Sequence, residues 1–254
     1  MMEKLIVVAG TGDARNIILE LSRRGIALCA TVATPLGKEF LRGVENIDVR
    51  EGRRDVEGFL HLIRETGASC LVDASHPYAA EVSKTAMEAC KAADITYLRY
   101  EREASLLEEG IIRVENYEIA VEKLQSMEGN ILLTIGTNNL GYFTALKDYK
   151  TRVFARVLPD SRSVARCESL GFTASNILAL KGPFSEEMNS AMIRHCNASI
   201  VVTKDSGKEG GVEEKAQSAR RMGIPLMVIA RPEVQYANKF GSVKELLEYM
   251  EKQE

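Results

Sequence analysis

Gly10 and Gly12 stand one residue apart at the end of an apolar run, with Thr11 between them and Asp13 opening a helical pattern directly after. Glycine lets a backbone take positive φ and lets a ligand come close, and a helix that starts there aims its first unsatisfied N–H groups at that ligand. The chemistry this suits is anion binding, most often of a phosphate. The string reads G-x-G-x-x-R, so Arg15 occupies the place of the third, helix-packing glycine of a dinucleotide fingerprint.

In open parallel sheets, ligands bind beyond the carboxyl ends of the strands, so loops that follow predicted strands are the informative ones. In the loop 73–78, Ser75, His76 and Tyr78 offer hydrogen-bonding and proton-exchanging groups, with Pro77 expected to start the next helix. The alternative is a capped helix start whose polar groups serve only backbone, and the position at a strand end favours the first reading. Gly136 and Thr137 can cradle phosphate through backbone N–H groups and a hydroxyl, or belong to an ordinary turn capped by Asn138 or Asn139. Lys181 sets a cation beside Gly182 and Pro183, and Ser185 opens a helix. The richest loop joins Lys204 and Ser206 to Gly207, Gly210 and Gly211, and reads equally as a lid. Arginines cluster near predicted strand ends, at Arg50, Arg53, Arg54, Arg99, Arg102, Arg156 and Arg231. Singly each is a solvated surface residue, but together with Arg15 they suit a polyanionic ligand. His61 and His195 lie on helix patterns and read as structural.

Several chemistries are set aside. No G-x-x-x-x-G-K-[ST], H-E-x-x-H or G-x-S-x-G string occurs, and Tyr142 and Lys147 lie five apart, off one helical face. The acid expected on a cofactor ribose at the end of the second strand is missing; Thr31, Val32, Ala33 and Thr34 stand there.

The elements that must position these residues follow from patterning. Short apolar runs alternate with longer amphipathic stretches, the signature of βαβ units and a parallel sheet. Strands are predicted at 4–9, 27–32, 47–50, 70–73 and 96–100, with helices at 13–24, 55–66 and 78–93. After a charged interval come a short apolar piece at 111–114 and a helix at 117–127. Strands follow at 130–135, 152–156, 176–180, 199–203 and 225–229, and helices at 140–147, 161–170, 185–195, 211–222 and 242–252. The fold class is α/β, with two doubly wound parallel-sheet halves, 1–110 and 111–254, a boundary within 100–128, and a cleft between the rows of strand ends. The 254 residues contain no stretch long and apolar enough for a membrane span and no leader pattern, so a cytoplasmic protein is expected. Five scattered cysteines without C-x-x-C spacing read as reduced hydrophobes rather than a disulfide framework or a metal site. A net charge of −3 without a basic tract argues against nucleic acid.

Taken in order, Gly10-Thr-Gly-Asp-Ala-Arg15, Asp73-Ala-Ser-His-Pro-Tyr-Ala79, Ile135-Gly-Thr-Asn-Asn-Leu140, Arg156-Val-Leu-Pro159, Lys181-Gly-Pro-Phe-Ser185, Val202-Thr-Lys-Asp-Ser-Gly207 with Gly210-Gly211, and Gly223-Ile-Pro-Leu226 with Arg231-Pro232 resemble the precorrin-6A reductase family of corrin biosynthesis, over nearly the whole chain. The resemblance implies two Rossmann-like domains, NADPH or NADH as cofactor, and hydride delivery to a double bond of an anionic tetrapyrrole, precorrin-6A or its cobalt complex. It implies cofactor contacts from Gly10, Thr11, Gly12, Gly136, Thr137, Asn138, Lys181, Gly182, Pro183, Lys204, Ser206 and Gly207, and substrate contacts from Arg15, Ser75, Arg156 and Arg231. His76, Tyr78 or water would exchange the proton, no metal is expected, and the assembly would be a monomer or small homo-oligomer. Asp13 departs from the Glu expected in the family's first loop. A tetrapyrrole synthase or transferase, or a non-catalytic nucleotide sensor, would share the same fold.

Overall fold

The fold is taken from a computed structural model that describes residues 4–102, 110–206 and 210–252. The chain forms two compact units, Met1–Glu103 with Glu233–Glu254, and Ala104–Pro232.

The first unit runs β1 (Lys4–Val8), α1 (Gly12–Arg23), β2 (Ala27–Val32), α2 (Pro35–Phe40), β3 (Ile47–Glu51), α3 (Val56–Thr66), β4 (Cys70–Asp73), α4 (Ala80–Ala92) and β5 (Thr96–Tyr100). The second holds β6 (Ile111–Val114), α5 (Tyr117–Gln125), β7 (Asn130–Leu133), a 3-10 turn (Leu140–Ala145), α6 (Tyr149–Arg152), β8 (Val153–Val157) and α7 (Ser161–Ser169). It continues through a second 3-10 turn (Ala174–Asn176), β9 (Ile177–Ala179), α8 (Glu186–His195), β10 (Ala198–Lys204), α9 (Val212–Arg221) and β11 (Leu226–Ile229). The chain then returns to the first unit as β12 (Lys239–Phe240) and α10 (Val243–Glu251).

Each unit has one six-stranded sheet, ordered β12-β5-β4-β1-β2-β3 and β6-β11-β10-β7-β8-β9, with parallel pairing throughout. Parallel strands are covered on both faces, which is why they read as unbroken apolar runs. Leu5 and Val7 of β1 join the core that holds Ile17 and Leu21 of α1 and Leu246 of α10, whereas Ile6 and Val8 join Phe59 and Leu62 of α3 and Ala86 of α4. In the second sheet Ile200 and Val202 face Ala120 and Leu124 of α5, and Val201 faces Met192 of α8 and Ala219 of α9. The order of strands reverses between β1 and β4 in one sheet and between β7 and β10 in the other, and these two crevices are where open α/β sheets take ligands.

Capping follows the sequence closely. Asp55 Oδ1 accepts from the Gly58 N–H at 2.8 Å, Gly67 ends α3 at φ 65°, and Ser185 caps α8. Ser242 and Glu245 make a capping box at α10.

Three expectations are corrected. The second domain does not run to residue 254: β12 pairs with β5 through Lys239 with Arg99 and Phe240 with Tyr100, and Leu246, Leu247 and Met250 of α10 complete the first unit's core. Helix α4 starts at Ala80 rather than 78, because the Ala79 N–H is held by the His76 carbonyl at 2.7 Å in a turn that contains Pro77. Residues 140–145 form a 3-10 turn rather than an α-helix, and α2 and β12 were not foreseen from patterning. All five cysteines are free and buried; burial raises the Cys70 and Cys90 thiols each to about 12. Among the described residues no helix is long and apolar enough to cross a membrane.

Candidate functional site

At the reversal between β1 and β4, Gly10 sits at φ 137°, and a Cβ there would point into open space. Thr11 has extended backbone, accepts the Ala14 N–H at 3.0 Å as the cap of α1, and donates its hydroxyl to the Ala74 carbonyl at 3.0 Å. One side chain thus starts the helix and ties the loop after β1 to the loop after β4. A glycine held at positive φ, an open space beside it and Gly12 as the first residue of α1 fit a dinucleotide pyrophosphate. Asp13 pairs with Arg102, and Arg15 Nε donates to the Phe40 carbonyl at 3.1 Å, securing α2. At the end of β2, where a ribose-reading acid was absent from the sequence, the Thr31 hydroxyl accepts from Arg54 Nε at 3.1 Å.

The loop after β4 is built on Asp73, a fully buried carboxylate. Its Oδ1 accepts the Ser75 N–H at 2.9 Å and lies 3.0 Å from Arg99 Nη1; its Oδ2 accepts from Ser83 at 2.6 Å and from Tyr97 at 2.7 Å. Arg99, also fully buried, donates from Nη1 to Ser75 Oγ at 3.1 Å and from Nη2 to Glu101 at 3.0 Å, and Lys239 of β12 reaches the other Glu101 oxygen at 2.7 Å. Burial opposes the Glu101 charge, but the bonds from Lys239 and Arg99 outweigh it and hold the carboxyl below its ordinary range. Burial first, and then the charge of Asp73, push the Tyr97 phenol far up, so it stays a hydrogen-bond donor. Tyr236 stacks on Tyr97 at 6.4 Å and 11°, with the Arg99 guanidinium 5.3 Å from its ring. Above this base, His76 is half-buried and its Nδ1 accepts the Tyr78 N–H at 3.2 Å; a neutral His76 ring therefore carries its proton on Nε2. The two rings lie 5.8 Å apart.

In the second unit, the Thr134 N–H and hydroxyl both donate to the Val202 carbonyl, at 2.8 and 3.0 Å, joining the loop after β7 to β10 at the reversal. Gly136 there takes φ 76°, the Thr137 carbonyl accepts from Leu140 at 3.3 Å, and Asn138 is exposed. Lys181, Gly182 and Pro183 are exposed ahead of α8, with a cis bond between Gly182 and Pro183. Lys204 ends β10, and burial lowers its ammonium to about 8. The Ser206 N–H turns back onto the Lys204 carbonyl at 2.8 Å, and Gly207 lies outside the described residues. Arg231 Nε donates to the Asp205 carbonyl at 2.8 Å. Arg156, with its pKa lowered to about 10 by burial, donates from Nη1 to Asn189 Oδ1 at 2.9 Å and lies 4.6 Å from the Phe184 ring centre.

The expected residues therefore divide between the units, with Gly10, Thr11, Gly12, Arg15, Ser75, His76 and Tyr78 in one, and Gly136, Thr137, Asn138, Arg156, Lys181, Gly182, Pro183, Lys204, Ser206 and Arg231 in the other. Not every strand-end arginine is a ligand group. Arg99 is a fully buried bond-maker and Arg50 pairs with Asp48 and Glu65, at 2.8 and 2.7 Å. Patterning missed Lys215 of α9, only 6% exposed, whose Nζ donates to the Gly210 carbonyl at 2.5 Å. A signal was present: Val212, Lys215 and Ala219 share one helical stripe, and a lysine on a buried stripe stands out.

The sequence profile of the family described as Precorrin-6x reductase CbiJ/CobK matches residues 4–251. The chain is 34% identical over 246 residues to the cobalt-precorrin-6A reductase of Priestia megaterium, covering 96% of each chain. It is 37% identical over 231 residues to that of Salmonella typhimurium, covering 90% of this chain and 87% of the relative. Its fold matches a solved structure described as CobK precorrin-6A reductase with TM-score 0.80 and 23% identity, over 99% of this chain and 97% of that one. A match that takes in nearly every described residue, with relatives above 30% identity over nine-tenths of the chain, means that this chain belongs to the precorrin-6x reductase CbiJ/CobK family.

Proposed function

We propose that the turn of Gly10, Thr11 and Gly12 holds the pyrophosphate of a reduced nicotinamide dinucleotide, and that the loop of Ser75, His76 and Tyr78 serves the reduction itself. The chain is an oxidoreductase of cobalamin biosynthesis that reduces the precorrin-6A macrocycle. The dinucleotide supplies hydride; what the protein contributes is orientation, exclusion of water and a proton. The observation that carries the reading is the Thr11 side chain, bonded to both Ala14 and Ala74, because it fixes the phosphate-type turn to the His76 loop at the strand reversal. His76, protonated at Nε2 when neutral, is the proton-exchanging group, and Tyr78 sets its ring through the backbone bond to Nδ1. Arg15, Ser75, Arg156 and Arg231 serve the carboxylates of the macrocycle. In the second unit, Gly136, Thr137, Asn138, Lys181, Gly182, Pro183, Lys204 and Ser206 are read as further contacts to the dinucleotide. The chain contains no tryptophan, so the fluorescence of reduced nicotinamide can be followed on binding without that background. Titration with NADH and with NADPH, followed by precorrin-6A or its cobalt form, tests the proposal. Saturable binding and then loss of nicotinamide absorbance are expected. A folded chain that binds neither dinucleotide would overturn it.

A further inference from the structure

Lys215 is a buried cation and Arg156 a half-buried one, and both have only neutral hydrogen-bond partners. Arg156 uses Asn189 Oδ1 and the Met192 sulfur and lies on Phe184; Lys215 uses the Gly210 carbonyl. Among the described residues neither makes an ion pair. They also act on each other: burial first, then the charge of Arg156 and, more weakly, that of Lys204, against Glu214, bring Lys215 down to about 7. Two charges that pay for desolvation and for mutual repulsion are costly unless something negative joins them. They stand on separate elements, β8 carrying Arg156 and α9 carrying Lys215, and Arg156 rests on Phe184 and Met192 in the same apolar cluster that takes in Ala216 and Ala219 of α9.

We propose that Arg156 and Lys215 form a binding site for a carboxylate of the substrate. The proposal rests on the reductase reading above for the identity of the substrate. A carboxylate suits the site better than a pyrophosphate, because the first turn of α9 carries Glu213 and Glu214, which oppose a second negative charge. The Arg156 fork, held from one side by Asn189 and stacked on Phe184, is set up for paired contact with one planar carboxylate.

The test uses the full chain, as wild type, Lys215→Gln, Lys215→Arg and Arg156→Gln, with tricarballylate as a free tricarboxylate probe. Lys215→Gln should raise the unfolding midpoint of the ligand-free chain, since one of two repelling charges is gone. It should also weaken tricarballylate binding about 10-fold, raise KM for precorrin-6A about 10-fold and leave the Kd of reduced nicotinamide unchanged. Arg156→Gln should repeat the binding losses, and Lys215→Arg should restore them in part. A rise in the nicotinamide Kd with an unchanged macrocycle KM would assign the site to pyrophosphate and overturn the proposal. A fall in midpoint with every ligand constant unmoved would show that the cations only hold the fold, and would overturn it too. If the wild type bound no nicotinamide, the reductase reading would fail, while the tricarballylate titration would still decide whether this is an anion site.

Discussion

His76 is bound through Nδ1 to the Tyr78 N–H, so its side chain does two things at once: it closes a turn and carries a proton on the opposite nitrogen. The two roles separate by substitution. Asparagine can offer an acceptor oxygen where Nδ1 stands but exchanges no proton near neutral pH, and phenylalanine offers neither. His76→Asn should therefore lower kcat about 10²-fold with little change in dinucleotide Kd or midpoint, and His76→Phe should lower kcat and loosen the turn as well. Steady-state kinetics showing wild-type kcat in His76→Asn would remove His76 from the reaction. Lys215 makes a second prediction, of pH dependence. Burial and the charges of Arg156 on β8 and Lys204 at the end of β10, against Glu214 on α9, bring its folded pKa down to about 7. The unfolded chain keeps that proton up to the ordinary lysine range, so between these limits the unfolded state binds more protons and stability rises with pH. Urea midpoints of the ligand-free chain should climb from about pH 7 towards 10, and Lys215→Gln should flatten the climb. A slope unchanged in Lys215→Gln would mean that the ammonium is not desolvated as its surroundings imply.

At the scale of elements, the turn between β1 and α1 is held by one hydroxyl in two bonds. Thr11→Ala removes both the helix cap and the tie to Ala74, and should cost about 1–2 kcal/mol, read as a lower urea midpoint at unchanged m, together with weaker dinucleotide binding. Thr11→Ser keeps the oxygen and should stay near wild type; equal losses in the two variants would point to the methyl group instead. This turn was legible in the sequence because glycine spacing and an apolar run are local signals. The same holds for the caps at Asp55, Ser185 and Ser242, and for the parallel sheets, whose fully covered strands announce themselves as apolar runs. What patterning could not show was partnership across distance. Arg99 looked like a ligand-facing arginine at a strand end, yet the structure pairs it with Asp73, 26 residues earlier, and links Glu101 to Lys239, 138 residues later. A short strand such as β12, two residues long, carries no periodicity of its own and exists because β5 has an open edge. The loops of the candidate site were read from position; which of their side chains hold backbone depended on contacts that no spacing encodes.

For the whole molecule, the consequence is that the chain leaves its first unit, builds a second and comes back. The returning segment supplies Leu246, Leu247 and Met250, all 6% exposed or less, to the core around β1, β2, β4 and α1. At roughly 1.5–3 kcal/mol for each buried side chain, these three contribute roughly 5–9 kcal/mol, comparable with the net stability of an ordinary domain. The segment also brings Lys239 to Glu101 and Tyr236 to the Tyr97 ring, so without it the buried Arg99 network beneath the His76 loop loses its outer wall. Among the described residues, the second unit's two cores lie wholly within the stretch from β6 to β11. A chain ending at Pro232 should therefore lose amide-exchange protection in β1, β2, β4 and β5 while β7, β8 and β10 remain slow to exchange, and its dinucleotide binding should disappear with the first unit. Protection retained in β1 and β4 of the shortened chain would show that the first sheet stands without its last strand and helix, and that the return of the chain serves something other than stability.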